Sequence, residues 1–128
     1  MLKASLAILI AAISLFGNGL REAFLKAEKD KKLILVEISK ENCPYCVALE
    51  REVFEDAEKL KEIKKRYVIV KLKKGKDEIP SFLKAKYYPY TYLLKSDGTV
   101  VDEIPGFLKS SDFMEFIEEV YKQEKKFL

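Results

Sequence analysis

Histidine is absent from this 128-residue chain. Its absence removes Cys–His nucleophilic catalysis and His-ligated metal sites within one chain. Cysteine occurs only twice, too few for a four-thiolate zinc site. No glycine-rich phosphate loop of either standard pattern is present, which argues against nucleotide chemistry. An excess of one charge is also lacking: 24 Lys and Arg stand against 21 Asp and Glu, a formal charge of +3. The two signs are interspersed, so no basic patch marks a nucleic-acid partner. Asn and Gln are scarce beside abundant Lys and Glu, a weak lean towards a thermophilic or AT-rich source.

What is there suits one globular domain. The chain is 48% apolar and 35% charged, which supports a real core. Residues 1–19 read as a secretory signal peptide and residues 20–128 as the domain it exports. Lys3 gives a short positive start, and Ala4 to Phe16 is an apolar run broken only by Ser5 and Ser14. Gly17, Asn18 and Gly19 supply small residues for cleavage, without the usual Ala-x-Ala. The run is shorter than the roughly 20 residues that cross a bilayer. An uncleaved membrane anchor and a buried core helix are the competing readings. No cysteine ends the run, which argues against a lipoprotein anchor. Export to the periplasm or the medium puts the two cysteines where disulfides persist.

Hydrophobic periodicity predicts the order α-β-α-β-α-β-β-α. Leu20 to Lys31 reads as a helix, with Leu20, Phe24 and Ala27 on one face. Leu33 to Ile38 is a nearly continuous apolar run with one carboxylate, Glu37, as in a central strand covered on both faces. A helix is expected from Pro44 to about Lys61, with Val47, Glu50, Val53, Phe54, Ala57 and Leu60 tracing a mostly apolar stripe. Pro44 suits the first helical position, where its missing N–H costs nothing. Tyr67 to Leu72 reads as a second buried strand, and Glu78 to Lys86 as a short helix. Thr91–Lys95 and Thr99–Ile104 form a hairpin across Ser96, Asp97 and Gly98. Ser110 or Ser111 is expected to cap a last helix running to Lys125, with Phe113, Phe116, Ile117, Val120 and Tyr121 inward. The strand–helix–strand part implies parallel pairing and the hairpin adds antiparallel strands. The fold class is therefore α/β, a central mixed sheet flanked by helices.

Cys43 and Cys46 form a CxxC pair where a strand gives way to a helix. At a helix N-terminus, unpaired N–H groups and the helix dipole favour an anion. The Cys43 thiol pKa is therefore expected to fall, giving thiolate near neutral pH. That thiolate attacks a disulfide, and Cys46, one turn later and less exposed, resolves the mixed disulfide. Two plainer readings stand beside this one, a structural disulfide and a metal-carrying dithiol. A two-residue gap closes too small a loop to restrain much unfolded-chain entropy, which weakens the first. The second lacks His and a suitably placed Met.

Residues 20–125 resemble the thioredoxin superfamily. Within it, Glu41-Asn42-Cys43-Pro44-Tyr45-Cys46 followed by Glu50-Arg51-Glu52-Val53-Phe54 is similar to small periplasmic thioredoxin-like proteins of the SoxW type. The resemblance implies a thioredoxin fold and thiol–disulfide exchange without a further cofactor or metal. It implies exchange on disulfides of exported proteins with a membrane thiol carrier as electron donor; a small, lone domain of this kind fits reduction of periplasmic disulfides best, and a monomer is expected. Net oxidation or isomerisation, a CxxC metal chaperone and a non-catalytic interaction module are the alternatives. By the same resemblance Pro89 matches the loop proline that is cis in these folds, and the Tyr88 backbone before it pairs with substrate as an added strand. An ordinary trans turn proline is the alternative. Glu37 matches the buried acid beneath the cysteines and Lys71 the lysine that partners it. The alternative is that both reach solvent at strand ends. A carboxylate inside a buried strand should have a raised pKa, and its implied role is proton transfer with Cys46. Tyr45, Tyr87, Tyr88 and Tyr90 are expected around the cysteines, with core packing as the other reading for some of them. With Pro44 they make the candidate docking surface. Gly106 resembles the glycine after the last strand, or is a simple turn glycine. Asn42 and Pro44-Tyr45 stand where thioredoxins usually carry Trp and Gly-Pro, so redox potential and substrate surface do not carry over. A glutaredoxin Gly-Gly motif is missing after the hairpin.

Overall fold

The fold is organised around one strand that has neighbours on both sides and cover on both faces. A computed structural model describes residues 18–128 of the chain. The expected signal segment, 1–19, lies outside the described residues up to position 17. The central strand is β1, Leu33–Ser39, whose first six residues are all buried. It pairs in parallel with β2, Tyr67–Lys73, and antiparallel with β3, Tyr90–Leu94. β3 pairs antiparallel with β4, Val100–Pro105, so the sheet order is β2-β1-β3-β4. The β3–β4 turn is tied by Asp97, whose carboxylate accepts the Thr99 N–H. Gly98 sits there at a φ of 91°, a conformation that costs glycine little.

Alternation along the strands sorts the core into two layers. Ile34, Val36 and Ile38 point to one face with Val70, Leu72, Tyr92 and Leu94. Helix α1, Asn18–Asp30, covers that face with Leu20, Ala23, Phe24 and Ala27. Leu33 and Leu35 point to the other face with Tyr67, Leu93 and Ile104. There they meet α2 (Pro44–Leu49), α3 (Ala57–Arg66) and α4 (Ser110–Glu124) through Leu49, Ile63, Phe113, Ile117 and Val120.

Four sequence expectations are corrected. The helix from Pro44 does not run unbroken to Lys61. After α2 it widens into a π-helical turn, Glu50–Phe54, and α3 starts afresh behind Asp56, whose carboxylate accepts the Lys59 N–H at 3.0 Å. Asp at an N-cap competes with helix continuation by binding the backbone itself. The wider turn lets Leu49, Val53 and Phe54 all face the sheet, while Val47, expected inward, is 54% exposed. Second, Glu78–Lys86 is a chain of turns rather than a helix. Pro80 disfavours helical geometry at Ile79 and offers no N–H, and only Leu83 of this stretch is buried. Third, neither serine caps α4. Lys109 holds the N-cap position without a side-chain bond, and its carbonyl accepts the Phe113 N–H. Fourth, Ala57, expected on the apolar stripe, is exposed at the start of α3, whereas Phe116 and Tyr121 on α4 pack against the core as expected while half-buried. Among the described residues no helix is long and apolar enough to cross a membrane.

Leu93, fully buried between β1 and α4, tests the second layer. Leu93→Ala is expected to lower stability by about 3 kcal/mol through lost burial and an unfilled cavity. The measurement is the urea midpoint, with an unchanged m-value expected.

Candidate active site

β1 delivers the cysteine pair. Its last residue, Ser39, leads through Lys40–Asn42 to Cys43, with Asn42 at a φ of 52°. Asparagine tolerates that left-handed geometry better than most residues. Cys43 is extended (φ −121°, ψ 97°) and occupies the N-cap of α2, with Pro44 at the first helical position. Its Sγ accepts the Cys46 N–H at 3.2 Å. Cys43 and Cys46 form a disulfide, their Cα atoms 5.2 Å apart. The expected contrast in exposure is absent in this oxidised pair, since each cysteine is 8% exposed. The bond holds both sulfurs against the same turn.

Beneath the pair, one row crosses the sheet on the face that α2 covers. Lys71 on β2, Glu37 on β1, Thr91 on β3 and Ile104 on β4 are successive register partners. Glu37 is buried, and burial pushes its carboxyl up to about 7 from 4.5, with Lys71 opposing and Glu50 adding to the shift. The strand-end alternative for Glu37 is thereby excluded. Lys71 does not pair with it directly. The Lys71 ammonium lies 2.6 Å from the Glu50 carboxylate and 4.6 Å from the centre of the Phe54 ring. The widened turn presents Glu50 and Phe54 to this lysine, so Lys71 acts on Glu37 through its field alone. Sequence reading missed this role of Glu50, whose approach depends on that turn. Thr91 is fully buried, and its hydroxyl has no hydrogen-bond partner among the described residues.

Two depressions flank the pair and share Lys40. One is a charged cleft of about 890 Å³, with Glu37, Cys43, Pro44, Cys46, Glu50 and Lys71 among its walls. The other is an aromatic groove lined by Tyr45, Tyr87, Tyr88, Pro105, Gly106 and Phe107. Tyr45 stacks on Phe107 with ring centres 5.4 Å apart. Lys40 and Lys74 lie over the Tyr88 ring at 5.1 and 5.6 Å. Phe107 was not foreseen; its only sequence signal is its place after Gly106. The Tyr88–Pro89 peptide is cis. Continuing the β1–β3 register one step sets the buried Pro89 opposite Ser39, where the loop to Cys43 leaves the sheet. Tyr90 is corrected: it is 8% exposed, packs on Tyr92 in the α1 layer and donates its hydroxyl to Glu103. Strand alternation turns it away from the groove.

The family model for the thioredoxin-like domain matches residues 20–121. The chain belongs to the thioredoxin-like domain family. Its solved structural neighbours agree on the fold. One is described as the oxidoreductase DsbH, at a TM-score of 0.65 and 14% identity, covering 79% of this chain and 80% of that one. Another is a thioredoxin from Thermus thermophilus, at 0.61 and 19%, covering 77% and 81%. A third is the reduced periplasmic thioredoxin SoxS from Paracoccus pantotrophus, at 0.56 and 18%, covering 72% and 98%. No curated protein matches the sequence.

With a CxxC pair at the expected strand-to-helix junction, this thioredoxin-like chain is a thiol–disulfide oxidoreductase. The N-cap position supplies a peptide N–H to one sulfur, a buried acid with its carboxyl raised to about 7 lines the same cleft, and the groove supplies apolar surface. Among the described residues no group of three or more His, Cys, Asp or Glu is placed to share a metal ion.

The buried acid makes stability depend on pH. Between 4.5 and about 7 the folded chain keeps a proton that the unfolded chain releases, so stability falls as pH rises through that window. Glu37→Gln removes the effect. At about pH 8 the variant is expected to be more stable than the parent by about 3 kcal/mol, with little difference near pH 4. Urea unfolding at the two pH values measures it; equal stability of parent and variant at the higher pH contradicts the buried-acid assignment.

Proposed function

We propose that the protein is an exported reductase that opens disulfides in periplasmic or secreted proteins. The observation that carries this reading is the Cys43 sulfur at the N-cap, accepting the Cys46 N–H beside an aromatic groove. In the reduced protein that N–H and the helix end stabilise a Cys43 thiolate. The thiolate attacks one sulfur of a client disulfide, and the other client sulfur leaves. Cys46 gives its proton to Glu37 and attacks Cys43. The mixed bond breaks, the client leaves reduced, and Cys43–Cys46 closes. Lys71, anchored on Glu50, keeps the carboxylate form of Glu37 within reach by its positive field. The client lies along the Tyr88 backbone beside Pro89, with Pro44 and Tyr45 against it. A membrane thiol carrier then returns two electrons to the pair.

Residues 1–19 direct export in this reading, and 20–128 act as a monomer without a cofactor. A neighbour in fold, SoxS, is itself described as periplasmic, which supports the assignment of compartment.

Trapping tests the reading. In Cys46→Ser, mixed disulfides between Cys43 and exported proteins are expected to accumulate in the cells of origin. They should vanish on reduction and be absent when Cys43 is also replaced by Ser. No trapped protein would end the proposal. The resting state of the parent decides direction: a mainly reduced pair is expected, and a mainly oxidised one would mean net oxidation instead.

A further inference from the structure

Thr91 is a polar side chain on a sheet face whose core is otherwise mostly apolar. It lies on β3 two residues from Leu93, on the face filled by Leu33, Leu35, Ile104 and Phe113. Its hydroxyl is buried with no partner among the described residues. A buried hydroxyl left unpaired is costly, whereas valine has the same shape without that cost. The register sets Thr91 directly opposite Glu37, and opposed residues of an antiparallel pair project to the same face as close neighbours. The Glu37 side chain is largely buried, lines the charged cleft and makes no side-chain hydrogen bond or ion pair among the described residues. Two unpaired polar groups thus share one site beneath the cysteines.

We propose that Thr91 is a positioning residue for the proton step, its hydroxyl donating to the ionised Glu37 carboxylate through one bound water. This rests on the proton-transfer role of Glu37 given above. The hydrogen bond favours the carboxylate over the neutral acid. It therefore holds Glu37 in the form that takes the Cys46 proton while the Cys43–client bond breaks and Cys43–Cys46 forms. The other groups facing Glu37 are known: Lys71 from β2, and Glu50, Cys43 and Cys46 from the helical arm. Arg51, Glu55, Lys73 and Asp77 stand further along the cleft walls. From β3 and β4 the register brings Thr91 and Ile104 to this row, so among these strand residues the hydroxyl is the side-chain donor on that side.

The experiment follows the Glu37 carboxyl signal by carbon NMR across pH in the reduced protein, alongside the pH dependence of single-turnover exchange with a disulfide peptide. Thr91→Val is expected to raise the Glu37 midpoint by about half a pH unit or more. Exchange near pH 6.5 should then slow by about threefold for a half-unit shift, and by more for a larger one, the loss of carboxylate that such a shift implies. Thr91→Ala should act in the same direction, and Thr91→Ser, which keeps the hydroxyl, should restore the parent midpoint. A midpoint that stays put in both hydroxyl-free variants, or that moves equally in Thr91→Ser, overturns the proposal. Glu37→Gln separates the two claims. If it keeps the parent pH–rate profile, the proton-transfer role of Glu37 fails, whereas the NMR midpoints judge the Thr91 hydrogen bond on their own.

Discussion

Burial of β1 on every side is the constraint from which the rest follows. A strand paired at both edges and covered on both faces has no freedom of register, because a slip of one residue would exchange its two side-chain sets. That fixed register sets Glu37 between Lys71 and Thr91 and points Ser39 at the cysteine loop. The site therefore hangs from the stiffest part of the molecule. The helical arm adds the second half: Cys43 is extended, Pro44 starts the helix, and Cys46 returns its N–H to the Cys43 sulfur. Strand and arm meet where the cysteine pair and the buried acid line one cleft.

The charges around the site divide the work. Glu50 and Lys71 form a half-exposed pair on the arm, and such pairs contribute little to stability. Their effect here is one of placement. With its ammonium on Glu50, Lys71 leaves Glu37 without a direct counter-ion. A direct contact would have held the acid ionised throughout the neutral range. Desolvation prevails over the distant lysine, and the carboxyl titrates near 7, close to where proton exchange at neutral pH is most efficient.

How much was legible in the sequence depended on the range of the forces concerned. Leu33–Ile38 announced itself because a run of contiguous apolar residues needs no partner to be recognised. Asp97 and Gly98 likewise carry their turn locally. The cis proline and the buried acid came from family resemblance, since nothing in isolated Tyr88-Pro89 or Glu37 demands either. The π-helical turn was hidden because a uniform period of 3.6 residues assigns Val47 to the core, and only packing against the sheet selects Cys46 and Leu49. Tyr90 was misplaced by counting aromatics near the proline without assigning strand parity. Glu50 and Thr91 escaped because their importance lies in what stands across from them, on residues 21 and 54 positions away.

The burial of Glu37 also bears on how such a chain responds to selection. An acid held near neutrality by burial is a standing thermodynamic debit in alkaline conditions, and most proteins retain little margin above the threshold for folding. A laboratory campaign for heat resistance at high pH would reach position 37 early, because almost any uncharged residue of similar volume relieves the strain on the fold. The survivors would be hardier chains stripped of the one carboxyl beneath their cysteines, and a screen that scores folding alone would count them as improvements.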